Sequence, residues 1–148
     1  MITKLHQSIQ HSPDSIGDCW RTCIACLLGL DSPERVPHFV QICNNGDSDH
    51  VDMAREWLYQ FGLGLWNMNI IADDLDDVFQ MIDVHNAGEV FLLSGGTNHD
   101  TNHSVIADKT GIIHDPNVSP IDINRPCTHG YFIIEAITAH IPSLEIDL

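Results

Sequence analysis

The run Gly17-Asp18-Cys19-Trp20-Arg21-Thr22-Cys23-Ile24-Ala25-Cys26-Leu27-Leu28-Gly29-Leu30 restricts the fold more than any other part of the chain. Trp20, Cys23, Ile24, Leu27 and Leu28 recur at helical spacing, Asp18 is a good N-cap, and Gly29 with the Asp31-Ser32-Pro33 turn ends the run. A helix from Cys19 to about Leu30 with this much apolar surface has to be covered by other elements. Before it, residues 1–17 read as an extended segment with a turn at Ser12-Pro13-Asp14. After it, Ser32-Pro33-Glu34-Arg35 reads as a short helical turn leading into Val36-Pro37-His38-Phe39.

Two amphipathic helices follow. One runs from about Ser48 to Phe61, with Val51, Ala54, Leu58 and Phe61 on one face and Gly62 placed to cap its end. The other runs from about Asp74 to Asn86, with Leu75, Val78, Phe79 and Ile82 inward and Asp76, Asp77 and Asp83 mostly outward. Leu65 to Ile71 fits a strand between them. Beyond Gly88 the period shortens, and Val90–Leu93, Ser104–Ala107, Gly111–His114 and Tyr131–Ile134 are β-like runs separated by turns. Helices first and strands afterwards predict an α+β fold with an antiparallel sheet. At 148 residues, 43% hydrophobic and 18% charged, the chain suits one domain over 1–148.

Charge narrows the partners. Six Lys+Arg against 21 Asp+Glu give a formal −15, and Lys4, Arg21, Arg35, Arg55, Lys109 and Arg125 are too scattered to form a stripe, so neither nucleic acid nor a bare membrane is an expected partner. No run approaches the ~18 apolar residues of a spanning helix, and the N-terminus lacks the apolar centre of a signal peptide. Five cysteines, three of them crowded into Cys19–Cys26, make a poor disulfide framework. Free thiols and a cytoplasmic location are expected.

Cys19 falls in the first turn of its helix, where the helix dipole favours a thiolate. The neighbouring Asp18 carboxylate opposes that charge, so a base is also needed. His103 opens one β-like run and Asp115 closes the next. A four-residue loop at Asp108-Lys109-Thr110-Gly111 pairs Ala107 with Ile112 and puts His103 opposite Pro116, one residue from Asp115. Cysteine, histidine and acid then have the order of a nucleophile, a base and its orienter. The plainer readings are a buried structural cysteine and a His–Asp neighbourhood arising by chance among ten histidines and 21 acids.

Gln10, Gly17-Asp18-Cys19-Trp20, the helix Cys23–Leu30, Val36-Pro37-His38-Phe39, His103-Ser104-Val105-Ile106 and His114-Asp115-Pro116, taken in order, resemble the papain-like cysteine peptidase superfamily, particularly its small bacterial and phage relatives. Residues 40–95 contribute no motif to the likeness. The resemblance implies a papain-like α+β fold with the nucleophile helix packed on an antiparallel sheet. It also implies Cys19 as nucleophile, His103 as base, Asp115 as orienter and Gln10 as oxyanion donor. Gln10 lies further from Cys19 than in that family, and Gln7 is its rival. The expected activity is hydrolysis or acyl transfer on a peptide, protein or small amide. The alternative is a catalytically silent relative whose acidic surface binds a partner.

No cofactor and no metal is assigned. Cys19, Cys23 and Cys26 have the spacing of a radical S-adenosylmethionine cluster motif, but helical periodicity makes Cys23 and Cys26 small core side chains instead. His99 and His103 have no third zinc ligand nearby in sequence. Trp20, Trp57 and Trp66 read as core, and Asp73-Asp74 with Asp76-Asp77 as a dipole-favoured helix start with a solvated face.

Overall fold

A computed structural model of the chain describes residues 2–12, 16–43, 49–85, 90–98 and 101–139. Pro13, Asp14, Ser48, Asn86, His99 and Asp100, and the side chain of Asp83, lie outside the described residues. In chain order the elements are α1 (Cys19–Leu27), a 3₁₀ turn (Pro33–Arg35), α2 (Phe39–Cys43), α3 (His50–Tyr59), β1 (Leu63–Ile70), α4 (Leu75–His85), β2 (Phe91–Gly96), β3 (Asn102–Asp108), β4 (Gly111–His114) and β5 (Phe132–Ala139). The strands form one open antiparallel sheet in the order β1-β5-β2-β3-β4, so the fold is α+β.

Local chemistry explains most of the boundaries. Ser32 accepts the Glu34 amide to start the 3₁₀ turn, and Asp49 accepts the Val51 amide to cap α3. Gly62 closes α3 in a left-handed conformation (φ 74°) that a side chain would strain. Asp74 accepts the Asp77 amide at the start of α4. The five-residue α2 has no separate signal in the sequence reading. Two expected core positions are corrected: Phe61 is 60% exposed and lies edge-on to Trp57, and Trp66 is 42% exposed on β1.

The two faces of the sheet carry different side chains. Under α4, Ile70, Phe91, Leu93, Val105, Ala107, Phe132, Ile134 and Ala136 pack with Val78 and Ile82 into a continuous apolar layer. On the other face, α1 buries Trp20, Cys23, Ile24 and Cys26 with Leu65, Leu92 and Ile106, and α1 contacts both β3 and β2. Residues directly opposite in antiparallel strands share a face, so the register extends this second face into polar rows. One row is Asn67, Glu135, Leu92 and Ile106; the next is Asn69, Ile133, Ser94 and Ser104. The apolar cover of α1 therefore stops part-way across the sheet.

The N-terminal segment ties α1 to the far edge of the sheet. Thr3 donates its amide to the Cys26 carbonyl (3.0 Å) and its hydroxyl to Leu30 (2.7 Å). Further along, His114 Nε2 donates to the Leu5 carbonyl (2.6 Å), and the Gln7 amide donates to Pro116 (2.8 Å). Gln7 is thus held beside the end of β4, where Asp115 begins the next loop.

Candidate active site

Three segments meet at His103. Cys19 is the first residue of α1, His103 the second of β3, and Asp115 follows the last residue of β4. Asp108 pairs directly with Gly111, so the hairpin loop is two residues, Lys109 and Thr110, not four. Ala107 pairs with Ile112 as expected, but a bulge then shifts Ile106 onto His114, and ladder pairing ends there. Past the bulge, Asp115 Oδ1 accepts His103 Nε2–H at 2.7 Å.

Asp115 is fixed from its own loop as well. Its Oδ1 also accepts the Asn117 amide (2.9 Å), and its Oδ2 accepts the Ile121 amide (2.8 Å). That loop returns across Gly95 and Gly96, where a Cβ on Gly95 would fall 2.3 Å from Ile123 and one on Gly96 2.4 Å from the Pro126 carbonyl. Burial works to raise the Asp115 carboxyl, but the hydrogen bonds from His103, Ile121 and Asn117 outweigh it and hold it below its ordinary value.

His103 is 4% exposed, and burial opposes its charge. Hydrogen bonds to Asp115 and to the Cys19 side chain outweigh that penalty and lift the imidazole from 6.5 to about 9. Because Asp115 holds Nε2, Nδ1 is the ring nitrogen left for the thiol. An imidazole fixed in this tautomer by a carboxylate can take a proton from sulfur and return it elsewhere.

All five cysteines are free thiols, yet their surroundings differ. Burial pushes Cys23 well above an ordinary thiol, and it raises Cys26 too. Cys26 Sγ accepts the Leu5 amide (3.4 Å), a structural use. Among the described residues no group of three or more His, Cys, Asp or Glu is arranged to hold a metal ion. None of the described helices is long and apolar enough to cross a membrane.

Asp18 departs from its expected role. It occupies the N-cap position of α1, but its side chain makes no cap bond to the first turn. The carboxylate turns back instead to accept the Ile9 (2.9 Å) and Ser8 (3.3 Å) amides and to pair with Arg21 Nε (3.0 Å), fully buried. Its charge is already paired with Arg21. The amides at the start of α1 receive no cap from it, which suits an anion at that helix end.

Cys19 and His103 open onto a cleft of about 980 Å³. Gln10 and Gln7 both line it, Gln10 at an exposed position and Gln7 with its Nε2 donating to the Ile9 carbonyl (2.8 Å). The floor is the polar half of the sheet face: Asn67, Asn69, Ser94, Ser104 and Glu135. These residues were missed in the sequence. Glu135, a lone carboxylate inside Phe132-Ile133-Ile134-Glu135-Ala136-Ile137, was the visible signal. It accepts the Trp20 indole N–H at 2.8 Å, so Trp20 is core, packed edge-on between Phe39 and His50, with its polar edge at the cleft. Comparison with family models, curated proteins and solved structures finds no match for this chain.

Proposed function

We propose that the chain is a papain-like thiol-dependent hydrolase or acyltransferase acting on an amide. The reading rests on His103, one buried ring that meets a thiol at a helix N-terminus and a carboxylate fixed by two further amides. A buried structural cysteine needs neither partner.

In this mechanism the Cys19 proton passes to His103 Nδ1 as the resting pair forms, and the sulfur attacks the amide carbonyl carbon. The displaced electron pair moves onto oxygen, where Gln10 and the Cys19 amide supply hydrogen bonds. On collapse the C–N bond breaks, and His103 protonates the departing amine, leaving a thioester. A water then attacks that carbonyl carbon with His103 as base. The C–S bond breaks to release the carboxylic acid and restore the thiol. An amine in place of the water completes a transfer instead. Asp115 stays ionised throughout and holds the ring.

Iodoacetamide tests the first step directly. Cys19 is expected to alkylate near neutral pH much faster than Cys43, and His103→Ala to lower the Cys19 rate toward that of an ordinary thiol. Turnover of any amide substrate should fall by about 10²–10⁴-fold in the same variant. A Cys19 no more reactive than Cys43 points to the silent, partner-binding alternative.

A further inference from the structure

Glu135 has an unsatisfied oxygen at the cleft. The side chain is 2% exposed in the middle of β5, its Oε1 is taken by Trp20, and its Oε2 has no hydrogen-bond partner among the described residues. Burying a carboxylate oxygen without a donor costs stability. Burial raises the Glu135 carboxyl above its ordinary value, and the positive charge of Arg55 offsets this only in part. The Arg55 N–H groups are committed to the Leu65 carbonyl (3.1 Å), Asn67 Oδ1 (2.9 Å) and Asp52, so none reaches Oε2. His50, on the other side of Trp20, is pushed by burial toward its neutral form. Asp49, which also lines the cleft, adds negative charge. Trp20, the residue after Cys19, links Glu135 to the thiol end of the cleft.

We infer that Glu135 is a specificity residue that receives a positively charged donor group of the substrate, an ammonium or guanidinium on a short aliphatic arm beside the scissile amide. Such a group supplies the hydrogen bond that Oε2 lacks and, added to Arg55, the positive charge that favours the ionised carboxylate against its burial. Neutral and anionic arms supply neither. The inference rests on Cys19 being the reacting group only for where the arm lies relative to the scissile bond.

The test uses alkyl methanethiosulfonates with arms of two to five carbons ending in ammonium or methyl, with modification of Cys19 followed by mass spectrometry. For at least one arm length the ammonium reagent is expected to outrun its methyl counterpart by about tenfold or more, the effect of one hydrogen bond to a charged group. Glu135→Gln should remove that advantage, read as the ratio of ammonium-ended to methyl-ended rates within each protein, while Asp49→Asn should keep most of it. No ammonium preference at any length, or one that survives Glu135→Gln, overturns the inference. If Glu135→Gln does not fold, wild-type protein decides: n-butylammonium must slow the methyl-ended reagents at Cys19 more than n-butanol does. Equal protection by the two overturns it. Trp20 reports the same event without the thiol, because n-butylammonium should change tryptophan fluorescence in Cys19→Ala. A saturable change there beside an unreactive wild-type Cys19 would sink the hydrolase reading and keep the cationic site.

Discussion

The sheet faces α4 on one side and α1 on the other, and the two sides differ in composition. Toward α4 every strand from β1 to β5 except the short β4 contributes buried apolar side chains to one layer. Toward α1 the same strands begin apolar, at Leu65, Leu92 and Ile106, and become polar within two residues, at Asn67, Ser94 and Ser104. A face that is apolar throughout can be sealed by a helix, and sealing it contributes stability. A face that turns polar half-way cannot be sealed without stranding donors and acceptors, so it stays open as a cleft. The boundary between the two halves falls at the N-terminal end of α1, where Cys19 lies.

The sharpest way to break this comparison is to cut one residue from each side. Cys19→Ala is expected to abolish amide turnover with unchanged far-ultraviolet circular dichroism and melting temperature, since it removes one half-exposed sulfur at a helix end. Phe91→Ala, in the sealed layer and fully buried, should cost about 3–5 kcal/mol of stability. At temperatures where it remains folded, that variant should keep its turnover. Residual turnover in Cys19→Ala, or loss of turnover in folded Phe91→Ala, would mean that the two sides do not divide stability from chemistry.

Asp115 belongs to both accounts, because it orients His103 and also ties down its own loop. Asp115→Ala loses both and should slow turnover by about 10²-fold or more. Asp115→Asn separates them. An amide oxygen can still accept His103 Nε2–H and the Asn117 amide, but its NH₂ then faces the Ile121 N–H, donor against donor. Turnover should fall less than in Asp115→Ala, while stability drops by about 1–3 kcal/mol, the cost of an unpaired buried amide. Equal turnover losses in the two variants would show that charge, not ring orientation, is what Asp115 supplies.

Much of this architecture was readable before the structure because it depends on local patterns. The apolar spacing of Trp20, Cys23, Ile24 and Leu27 sets α1, and the order Cys19, His103, Asp115 needs only a hairpin to bring the last two together. The ladder bulge between Ile106 and Ala107 was not readable, since nothing in Ser104–Ile113 marks it, yet Asp115 reaches His103 across it. Asp18 holds the expected N-cap position, but its side chain is diverted for a tertiary reason: the Ser8 and Ile9 amides and Arg21 compete successfully for the carboxylate that the first turn of α1 could have used. The cleft floor was hidden more deeply. It takes one or two polar residues from each of four strands, and only the register shows that Asn67, Glu135, Ser94 and Ser104 are neighbours. Ser94-Gly95-Gly96 and Glu135 interrupt apolar runs, so β2 and β5 were also read too short.

The smallest expected effect is a shift in pH dependence, and it separates Asp115 from Asp18. His103 is lifted from 6.5 to about 9 in the folded chain, so an imidazolium-dependent activity should persist through neutral pH and fall along an alkaline limb near 9. The same linkage acts on stability. A histidine raised above its unfolded value contributes fully below about 6.5, and that contribution is lost as pH rises through about 9, so melting temperature should decline over that interval. Asp115→Asn removes the carboxylate whose hydrogen bond and charge favour imidazolium, and its alkaline limb should move down. Asp18→Asn should leave the limb where it is, because Arg21 already pairs that charge and the carboxylate points at the Ser8 and Ile9 amides. Its cost should appear in melting temperature instead, as Arg21 loses its ion-pair partner. Rate–pH profiles of the three proteins at one temperature decide the matter. A limb that moves in Asp18→Asn but not in Asp115→Asn would reverse the electrostatic roles of the two carboxylates.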